Sequence, residues 1–204
     1  RRIFLIVLDS CGIGHAVDAD KYHDDGANTF RHVVEKTKVN LPNLKKIGFH
    51  NLAFDEHCDT KGYYMRGCES SNGKDTLTGH LEMMGIETKI PFKTFTETGF
   101  PKELIDLLVE KTGRGVLGNK NASGTEIIEE LGEEHLKTGK LIVYTSADSV
   151  LQIAAHEDVV PLPELYRICE FSRKITLENP AWGVGRIIAR PYLGTNKDNF
   201  MRTP

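Results

Sequence analysis

A cluster of reactive side chains lies between two glycines in residues 73–80 (GKDTLTGH). It combines threonine hydroxyls with a cation, Lys74, and a carboxylate, Asp75. Asp75 or Thr76 can cap a short helix that starts near Leu77, and the free amide groups at the start of a helix attract phosphate. A threonine attacks phosphorus only when a base or a metal stabilises its alkoxide. The segment therefore indicates phosphoryl transfer, and an ordinary capped turn is the alternative. Spacing leaves four hydroxyls open as the nucleophile: Thr76, Thr78, Ser70 and Ser71.

A candidate metal ligand follows the apolar run of residues 3–8 (IFLIVL). Because this run does not alternate with polar residues, it predicts a strand buried on both faces, as in a parallel sheet covered by helices. Asp9 would then lie at the carboxyl end of the strand, where α/β sheets bind ligands and where a carboxylate can hold a hard cation. The alternative, which is favoured for an isolated strand, is that Asp9 or Ser10 only caps the next segment.

Five separated segments resemble the bacterial type of phosphopentomutase, a family of the alkaline phosphatase superfamily. They are residues 3–14 (IFLIVLDSCGIG), 73–85 (GKDTLTGHLEMMG), 118–126 (GNKNASGTE), 141–157 (LIVYTSADSVLQIAAHE) and 185–191 (GRIIARP). Five blocks in the correct order are hard to obtain by chance. The resemblance implies an α/β fold in which residues 1–91 are part of an alkaline-phosphatase-like core and residues 92–204 form a smaller α/β cap domain.

The same resemblance implies an isomerase that interconverts ribose 1-phosphate and ribose 5-phosphate, and the deoxyribose pair. Such an enzyme uses two manganese ions and a phosphorylated threonine, which gives its phosphoryl group to the sugar phosphate and recovers one from the bisphosphate intermediate. By motif match, Thr76 corresponds to that threonine and to a metal ligand, and Asp9 to another metal ligand. The positions that correspond to contacts with the pentose phosphate are Ser146, Asp148, Val150, Arg186, Ile188 and Arg202.

The sequence departs from this family in its length. Members are nearly twice as long, and their other metal ligands lie in a later stretch with Asp-His pairs, which this sequence lacks. Its eight histidines form no HxxxH or HxH pair, so none is predicted to bind a metal. A second function class therefore stays open, a phosphosugar-binding fragment without turnover. Another phosphomutase of the superfamily, such as a cofactor-independent phosphoglycerate mutase, is a further alternative, against which the sugar-binding positions argue.

The elements that must position these residues follow from periodicity and capping signals. Residues 29–36 and 41–48 are predicted as helices, whereas residues 50–71 are predicted as a loop and residues 90–99 as a connector. In the second part, three helices are predicted: one from Pro101 to Gly113, one that starts with a capping box at Ser123 and Glu126 and ends at Gly132, and one over residues 163–179. The last helix should bury Leu165, Ile168, Cys169, Ile175 and Leu177. Three strands are predicted, at residues 116–117, 141–144 and 185–190.

Two polar features on these strands could bind a sugar phosphate. Residues 145–149 (TSADS) follow a strand directly, so their side chains emerge at the edge where ligands bind, although a self-capping turn has equal weight. Arg186 and Arg190 are four residues apart on a strand and project from one face. A guanidinium can bind phosphate through two parallel hydrogen bonds. Salt bridges to helix carboxylates are the alternative, which is preferred for Arg190.

Composition excludes several classes of partner. The net charge of −3 and the dispersed basic residues argue against nucleic acid. No apolar run approaches the ~18 residues of a membrane span, and residues 3–8 are too short for a signal peptide, so a cytoplasmic protein is expected. The family resemblance implies a pentose phosphate as the ligand, and a monomer is expected. The four cysteines should be free thiols in such a compartment, with a Cys58 to Cys68 disulfide as the alternative.

Overall fold

The computed structural model describes residues 2–203 and has a mixed α/β fold, as predicted. The chain forms two compact units that divide between Ser70 and Ser71. The expected boundary between residues 91 and 92 remains a prediction about the core and the cap. The first residue of the predicted core segment 1–91 and the last residue of the predicted cap segment 92–204 lie outside the described residues.

The first unit contains short helices. They are a 3-10 helix at Ala19–Tyr22, α1 at Thr29–Thr37, α2 at Pro42–Lys46 and α3 at Phe49–Phe54. Helix α1 starts where the Asn28 side chain accepts a hydrogen bond from the Arg31 N–H at 3.1 Å, which satisfies one of the free amides of the first turn. The predictions of α1 and α2 are confirmed. Helix α3 lies mostly in the segment predicted as a loop. It starts after Gly48, which has no side chain to cap the helix, so the sequence lacks the usual signal of a helix start.

The predicted strand at residues 3–8 is wrong. These residues have no regular secondary structure, and their side chains are exposed, from 96% for Ile3 to 45% for Leu8. A strand buried on both faces needs neighbouring strands for its backbone groups and helices over its side chains. Within the described residues, the strand that comes first in the chain starts at Val116, so residues 3–8 have no partner strand in their own unit.

The second unit is a five-stranded mixed sheet with helices. Its elements are α4 at Thr76–Met83, α5 at Lys102–Thr112, β1 at Val116–Asn121, α6 at Gly124–Thr138, β2 at Leu141–Thr145, β3 at Val150–His156, α7 at Leu162–Glu178, a 3-10 helix at Pro180–Trp182, β4 at Arg186–Leu193 and β5 at Met201–Arg202. The strands lie in the order in which they occur in the chain. Strand β1 is parallel to β2 and β3 is parallel to β4, whereas β2 and β3, and β4 and β5, are antiparallel.

Two apolar cores cover the two faces of this sheet. Alternate residues of β2 and β3 pack with α5 and α7 on one face, in a cluster that includes Leu104, Leu108, Leu141, Val143, Leu151, Ile153 and Leu165. The other residues of these strands pack with α6 in a cluster that includes Ile127, Ile128, Ile142, Tyr144, Ala154 and Tyr192. The period of two along each strand separates the sets. Arg186, Ile188 and Arg190 share the second face on β4, where they are only half-buried.

Helix α6 begins after Ser123 as predicted, but its predicted capping contact and its predicted end are both wrong. Ser123 is the residue before the helix, but its side chain makes no capping hydrogen bond, so the predicted capping box does not form. The helix continues through Gly132 and ends at Gly139, which has a φ of +69°. An ideal Cβ on Gly132 would lie 2.4 Å from the ring of Phe200, so this glycine makes room for an aromatic ring and does not end the helix.

The other elements follow the predictions more closely. Helices α5 and α7, and strands β1, β2 and β4, occur where they were expected, whereas β3 and β5 were not predicted. In α7, Leu165, Ile168 and Ile175 are buried and Cys169 is half-buried, as expected. Leu177 is 63% exposed, so its predicted burial is wrong. It lies in the last turn of α7, next to the end of the helix at Glu178.

Candidate active site

Helix α4 presents the candidate nucleophile in its first turn. The carboxylate of Asp75, the residue before the helix, accepts hydrogen bonds from the Thr78 N–H at 3.1 Å and from the Thr78 hydroxyl at 2.6 Å. Asp75 is therefore the helix cap that the sequence predicted as one of two possibilities. Thr76, the first residue of the helix, keeps its hydroxyl free for other contacts and is exposed.

Burial and hydrogen bonding distinguish the candidate nucleophilic hydroxyls, which their spacing in the sequence could not distinguish. The side chain of Thr78 is fully buried and bound to Asp75, so its hydroxyl is part of the cap. Ser71 is 5% exposed, and its hydroxyl accepts a hydrogen bond from the Thr88 N–H at 2.9 Å. Ser70 belongs to the first unit. Of the two threonines and Ser71, Thr76 alone combines exposure with a place at the amino end of a helix.

Asp148 connects Thr76 to an arginine. The Thr76 hydroxyl donates to Asp148 Oδ1 at 3.2 Å, and Arg186 Nη2 donates to Asp148 Oδ2 at 3.2 Å. The Asp148 and Arg186 side chains are 39% and 41% exposed, so this ion pair adds little to stability after solvent screening. Its effect is positional, because it fixes both oxygens of the carboxylate between a hydroxyl and a cation.

The backbone around Asp148 is held by two neighbouring hydroxyls. Thr145, at the end of β2, donates its hydroxyl to the Val150 carbonyl at 2.8 Å and closes the turn. Ser149 donates to the Lys93 carbonyl and accepts from the Gly185 N–H at 3.0 Å. The turn is therefore closed by Thr145, whereas the side chains of Ser149 and Asp148 bond to residues outside the turn instead of capping it. The Asp148 carboxylate remains partly exposed at its tip.

Gly185 lets α4 approach the sheet. An ideal Cβ at this position would lie 3.1 Å from the Leu77 side chain and 3.2 Å from the Ser149 carbonyl. A methyl group here would require the Leu77 side chain or the Ser149 carbonyl to shift by a few tenths of an ångström. The glycine thus leaves room for the close approach of the first turn of α4 to the start of β4.

The positions implied to contact the sugar phosphate divide into two groups. Val150 pairs with Arg186 in the register of β3 and β4, and Ser146 lies in the same turn as Asp148. Ile188 follows two residues along β4, opposite Gln152. Arg202 lies on β5, and its guanidinium donates to the Thr125 hydroxyl on α6 at 3.4 Å. The structure thus places five of the six around the Asp148 turn and the adjoining part of β4, with Arg202 on the edge strand.

Arg190 does not pair with a helix carboxylate, contrary to the sequence interpretation. Its Nε donates to Gln152 Oε1 at 3.1 Å, and among the described residues it has no ion pair. The side chains of Arg190 and Gln152 lie on the face of the sheet that carries Arg186. Positions 186, 188 and 190 of β4 point to one face, and Gln152 is paired with position 188. Sequence reasoning missed Gln152, although a glutamine inside the apolar strand 150–155 (VLQIAA) is a visible signal of a buried polar contact.

The metal-site prediction is only partly represented in the chain. Asp9 is exposed in a turn after residues 3–8, and it belongs to the first unit. Within residues 2–203, no group of three or more His, Cys, Asp or Glu side chains could hold a metal ion. His80, the histidine next to the candidate nucleophile, donates from Nδ1 to the Thr76 carbonyl at 2.8 Å. The residues present therefore do not form a complete metal site.

Two further predictions concern the cysteines and membranes. All four cysteines are free thiols, so the alternative Cys58 to Cys68 disulfide is not formed. Among the described residues, no helix combines the length and the apolar character that a membrane crossing requires.

Comparison with known proteins confirms the sequence resemblance. The chain is 54% identical over 209 residues to the phosphopentomutase of Clostridium tetani, a match that covers 99% of this chain and 52% of the relative. It is 54% identical over 211 residues to the phosphopentomutase of Agathobacter rectalis, with the same two shares, and 54% identical over 208 residues to that of Clostridium perfringens, covering 100% of this chain and 52% of the relative. No protein-family model matches the sequence. The chain thus spans about half the length of the curated relatives it matches.

Proposed function

We propose that this chain, which is homologous to phosphopentomutases along nearly all its length, supplies the phosphoryl-carrying threonine and the sugar-phosphate contacts of such an enzyme. The reaction would interconvert (deoxy)ribose 1-phosphate and (deoxy)ribose 5-phosphate through a phosphothreonine and a bisphosphate intermediate. Because the relatives are about twice as long as the chain, turnover is proposed for a protein of that full length.

The observation that carries this proposal is the hydrogen-bonded series Thr76, Asp148 and Arg186. These residues are far apart in the sequence, and Thr76 and Asp148 are separated by 72 positions. A carboxylate on the Thr76 hydroxyl can orient the oxygen and accept its proton. The amino end of α4 and the Arg186 guanidinium both favour negative charge at this oxygen, which a phosphoryl group brings.

The steps that these side chains can perform are limited to binding, orientation and proton movement. Asp148 Oδ1 accepts a hydrogen bond from the Thr76 hydroxyl, so the lone pairs of Thr76 Oγ1 face away from the carboxylate. Arg186 neutralises Asp148 in the resting protein and can turn one N–H to a phosphate oxygen when a sugar phosphate enters. Ile188 is half-buried and supplies apolar surface beside these polar groups, whereas Val150 is only 2% exposed and contributes to the packing beneath them.

The proposal includes two manganese ions, because the family resemblance implies them, and Asp9 and Thr76 would be among their ligands. Such ions stabilise charge on phosphoryl oxygens. The described residues do not form a metal cluster. We therefore derive no step through the metal, and the proposal requires that further ligands come from residues beyond those described.

A phosphosugar-binding fragment without turnover is the second candidate. The half-length match and the absence of a metal cluster among the described residues favour it for the 204-residue chain by itself. Such a fragment would use Asp148 and Arg186 to bind a sugar phosphate without transferring a phosphoryl group.

Turnover of ribose 1-phosphate in the presence of manganese separates the candidates. We expect the full-length protein to form ribose 5-phosphate and Thr76→Ala to abolish this, with an unchanged fold by circular dichroism. Residual mutase activity in Thr76→Ala would remove Thr76 as the nucleophile. A fragment would bind ribose 5-phosphate and convert none of the 1-phosphate.

Binding of ribose 5-phosphate tests the contacts independently of turnover. Asp148→Ala and Arg186→Ala should both weaken it in either candidate. Lys120→Ala is a matched control, since Lys120 is another basic residue of a strand, paired with Glu130 at 2.7 Å on the surface. Its affinity should equal that of the unchanged protein. If Asp148→Ala and Arg186→Ala bind ribose 5-phosphate as tightly as the unchanged protein does, the proposed site is wrong.

A further inference from the structure

Ser149 has a buried side chain that joins two other segments of the chain. It follows Asp148 in the turn between β2 and β3 and is 2% exposed. Its hydroxyl donates to the Lys93 carbonyl and accepts from the Gly185 N–H at 3.0 Å, so the serine oxygen is used both as a donor and as an acceptor. Neither partner is among the residues proposed to contact the sugar phosphate.

The main chain of Ser149 holds the next residue of β4. The Arg186 N–H donates to the Ser149 carbonyl at 3.2 Å, beside the bond from the Gly185 N–H to the hydroxyl. One residue therefore binds two successive amides at the start of β4. Asp148 is the neighbour of Ser149 in the chain, and Arg186 is the neighbour of Gly185. The two hydrogen bonds thus set the separation of the backbone positions from which the Asp148 and Arg186 side chains extend to their ion pair.

The Lys93 carbonyl brings a third segment to the same point. Lys93 lies in the connector that follows α4, and its N–H donates to the Gly183 carbonyl at 2.9 Å. The main chain at Lys93 is therefore held on one side by the segment before β4 and on the other by Ser149. Since this connector follows the helix that carries Thr76, Ser149 also joins the nucleophile segment to the turn that carries Asp148.

The bonds of Ser149 are shielded from water, whereas the ion pair beside them is not. The Asp148 and Arg186 side chains are 39% and 41% exposed, so their attraction is screened and adds little to hold them in place. A buried donor or acceptor that loses its partner is costly, so the Ser149 bonds resist opening. The alignment of the two charged groups therefore depends on the buried hydroxyl beneath them.

We propose that Ser149 is a positioning residue, which holds Asp148 and Arg186 at the separation at which they bind a sugar phosphate beside Thr76. The inference rests on the proposed function, in which these three side chains form the site. The family resemblance assigns no role to Ser149. Without its hydroxyl, the turn and the start of β4 would be free to shift relative to each other, and the arginine would lose its alignment with the phosphate.

Calorimetric titration of the full-length protein with ribose 5-phosphate tests this role. We expect Ser149→Ala to weaken binding about tenfold, which corresponds to the loss of one hydrogen bond between the arginine and the phosphate. Ser149→Cys keeps a weak donor and acceptor and should weaken binding less. Ser172→Ala is the matched control, because Ser172 is 0% exposed and its hydroxyl donates to the Ile168 carbonyl within α7. Its affinity should be unchanged.

A double-mutant cycle separates positioning from a general loss of stability. If Ser149 acts through Arg186, Ser149→Ala should cost almost no further affinity in an Arg186→Ala protein, whereas two independent effects would multiply. A serine that only stabilises the fold would lower the folded fraction in both backgrounds alike, and circular dichroism at the temperature of the titration measures that fraction. Multiplied losses, or a Ser149→Ala protein that binds as tightly as the unchanged protein, would overturn the inference.

Amide hydrogen exchange checks the junction itself without any ligand. Ser149→Ala should speed the exchange of the Gly185 and Arg186 amides, because the first loses its acceptor and the second is held by the same residue. Ser172→Ala should leave both rates unchanged. Equal exchange of the Gly185 amide in Ser149→Ala and the unchanged protein would also overturn the inference.

The outcomes distinguish this inference from the proposed activity. A full-length protein that binds ribose 5-phosphate, binds it more weakly in Ser149→Ala and converts no ribose 1-phosphate supports the positioning role and refutes the mutase activity. A protein that converts ribose 1-phosphate but binds ribose 5-phosphate equally tightly in Ser149→Ala refutes the positioning role alone. A protein that does not bind ribose 5-phosphate refutes both.

Discussion

Acidification should destabilise the second unit through His135. This side chain is fully buried on α6; its Nδ1 donates to the Lys140 carbonyl, and its Nε2 accepts a hydrogen bond from the His156 N–H at 2.9 Å. Both ring nitrogens are therefore used by the neutral form. A proton added to Nε2 would face the His156 N–H and place a charge in the core. Burial lowers the pKa of His135, and the charges of His156 and Arg114 lower it further, against the opposing effect of the Lys140 carbonyl.

The sign of the effect follows from this direction. An unfolded histidine has a pKa of about 6.5 and takes up a proton below that pH, whereas His135 in the folded protein stays neutral. The folded state therefore keeps its full stability above about pH 6.5 and loses it as the pH falls towards the lowered pKa. The loss is at most about 1.4 kcal/mol for each pH unit in that interval. Between pH 7.5 and 5.5, only about one unit lies below 6.5, so we expect at most about 1.4 kcal/mol from His135.

Urea unfolding at these two pH values measures this loss. Trp182 is the only tryptophan in the sequence and packs against the core of the second unit, so its fluorescence reports on the relevant structure. His135→Gln should reduce the difference in free energy of unfolding between pH 7.5 and 5.5. His57→Gln, at an exposed histidine of the first unit, should leave it unchanged. An equal pH dependence in His135→Gln and the unchanged protein would refute the reasoning.

Two further predictions concern burial in the same unit. Leu104→Ala, at a position with 0% exposure, should lower the free energy of unfolding by about 2–5 kcal/mol, whereas Leu177→Ala at 63% exposure should change it by less than about 0.5 kcal/mol, both followed by Trp182 fluorescence. Similar losses would contradict the assigned core. Burial raises the pKa of Cys169 to about 11, so iodoacetamide should modify it more slowly at pH 8 than the exposed Cys68, as measured by peptide mass spectrometry. Equal rates would show that Cys169 is accessible.

Sequence patterns predicted the elements whose signals are local. Helix α5 has an apolar period, a proline at its start and Gly113 at its end, and α7 has four of its five predicted burial positions at least half-buried. The end of α6 was mispredicted because Gly132 resembles a helix stop, whereas its role depends on Phe200, a residue 68 positions later. Strand β3 was missed although its apolar run 150–155 (VLQIAA) is visible in the sequence, whereas its pairing with both β2 and β4 has no local signal.

The candidate site was predictable only in parts. Motif resemblance selected Thr76, Asp148 and Arg186 separately, and the helix cap at Asp75 could be derived from residue types alone. Their meeting depends on the sheet register and on the close approach of Leu77 to Gly185, neither of which has a periodic signature.

The exposed segment 3–8 has a consequence for the behaviour of the chain in solution. It is uncharged and lacks proline and glycine, its side chains are exposed, and none of its residues belongs to a described strand. An exposed apolar run of this kind can pair with the backbone of another strand. Segments of six or seven residues with these properties are the ones that stack into cross-β assemblies. The colloidal stability of the chain is therefore set by whether this hexapeptide is covered, far more than by the small net charge of −3 distributed over the remaining surface.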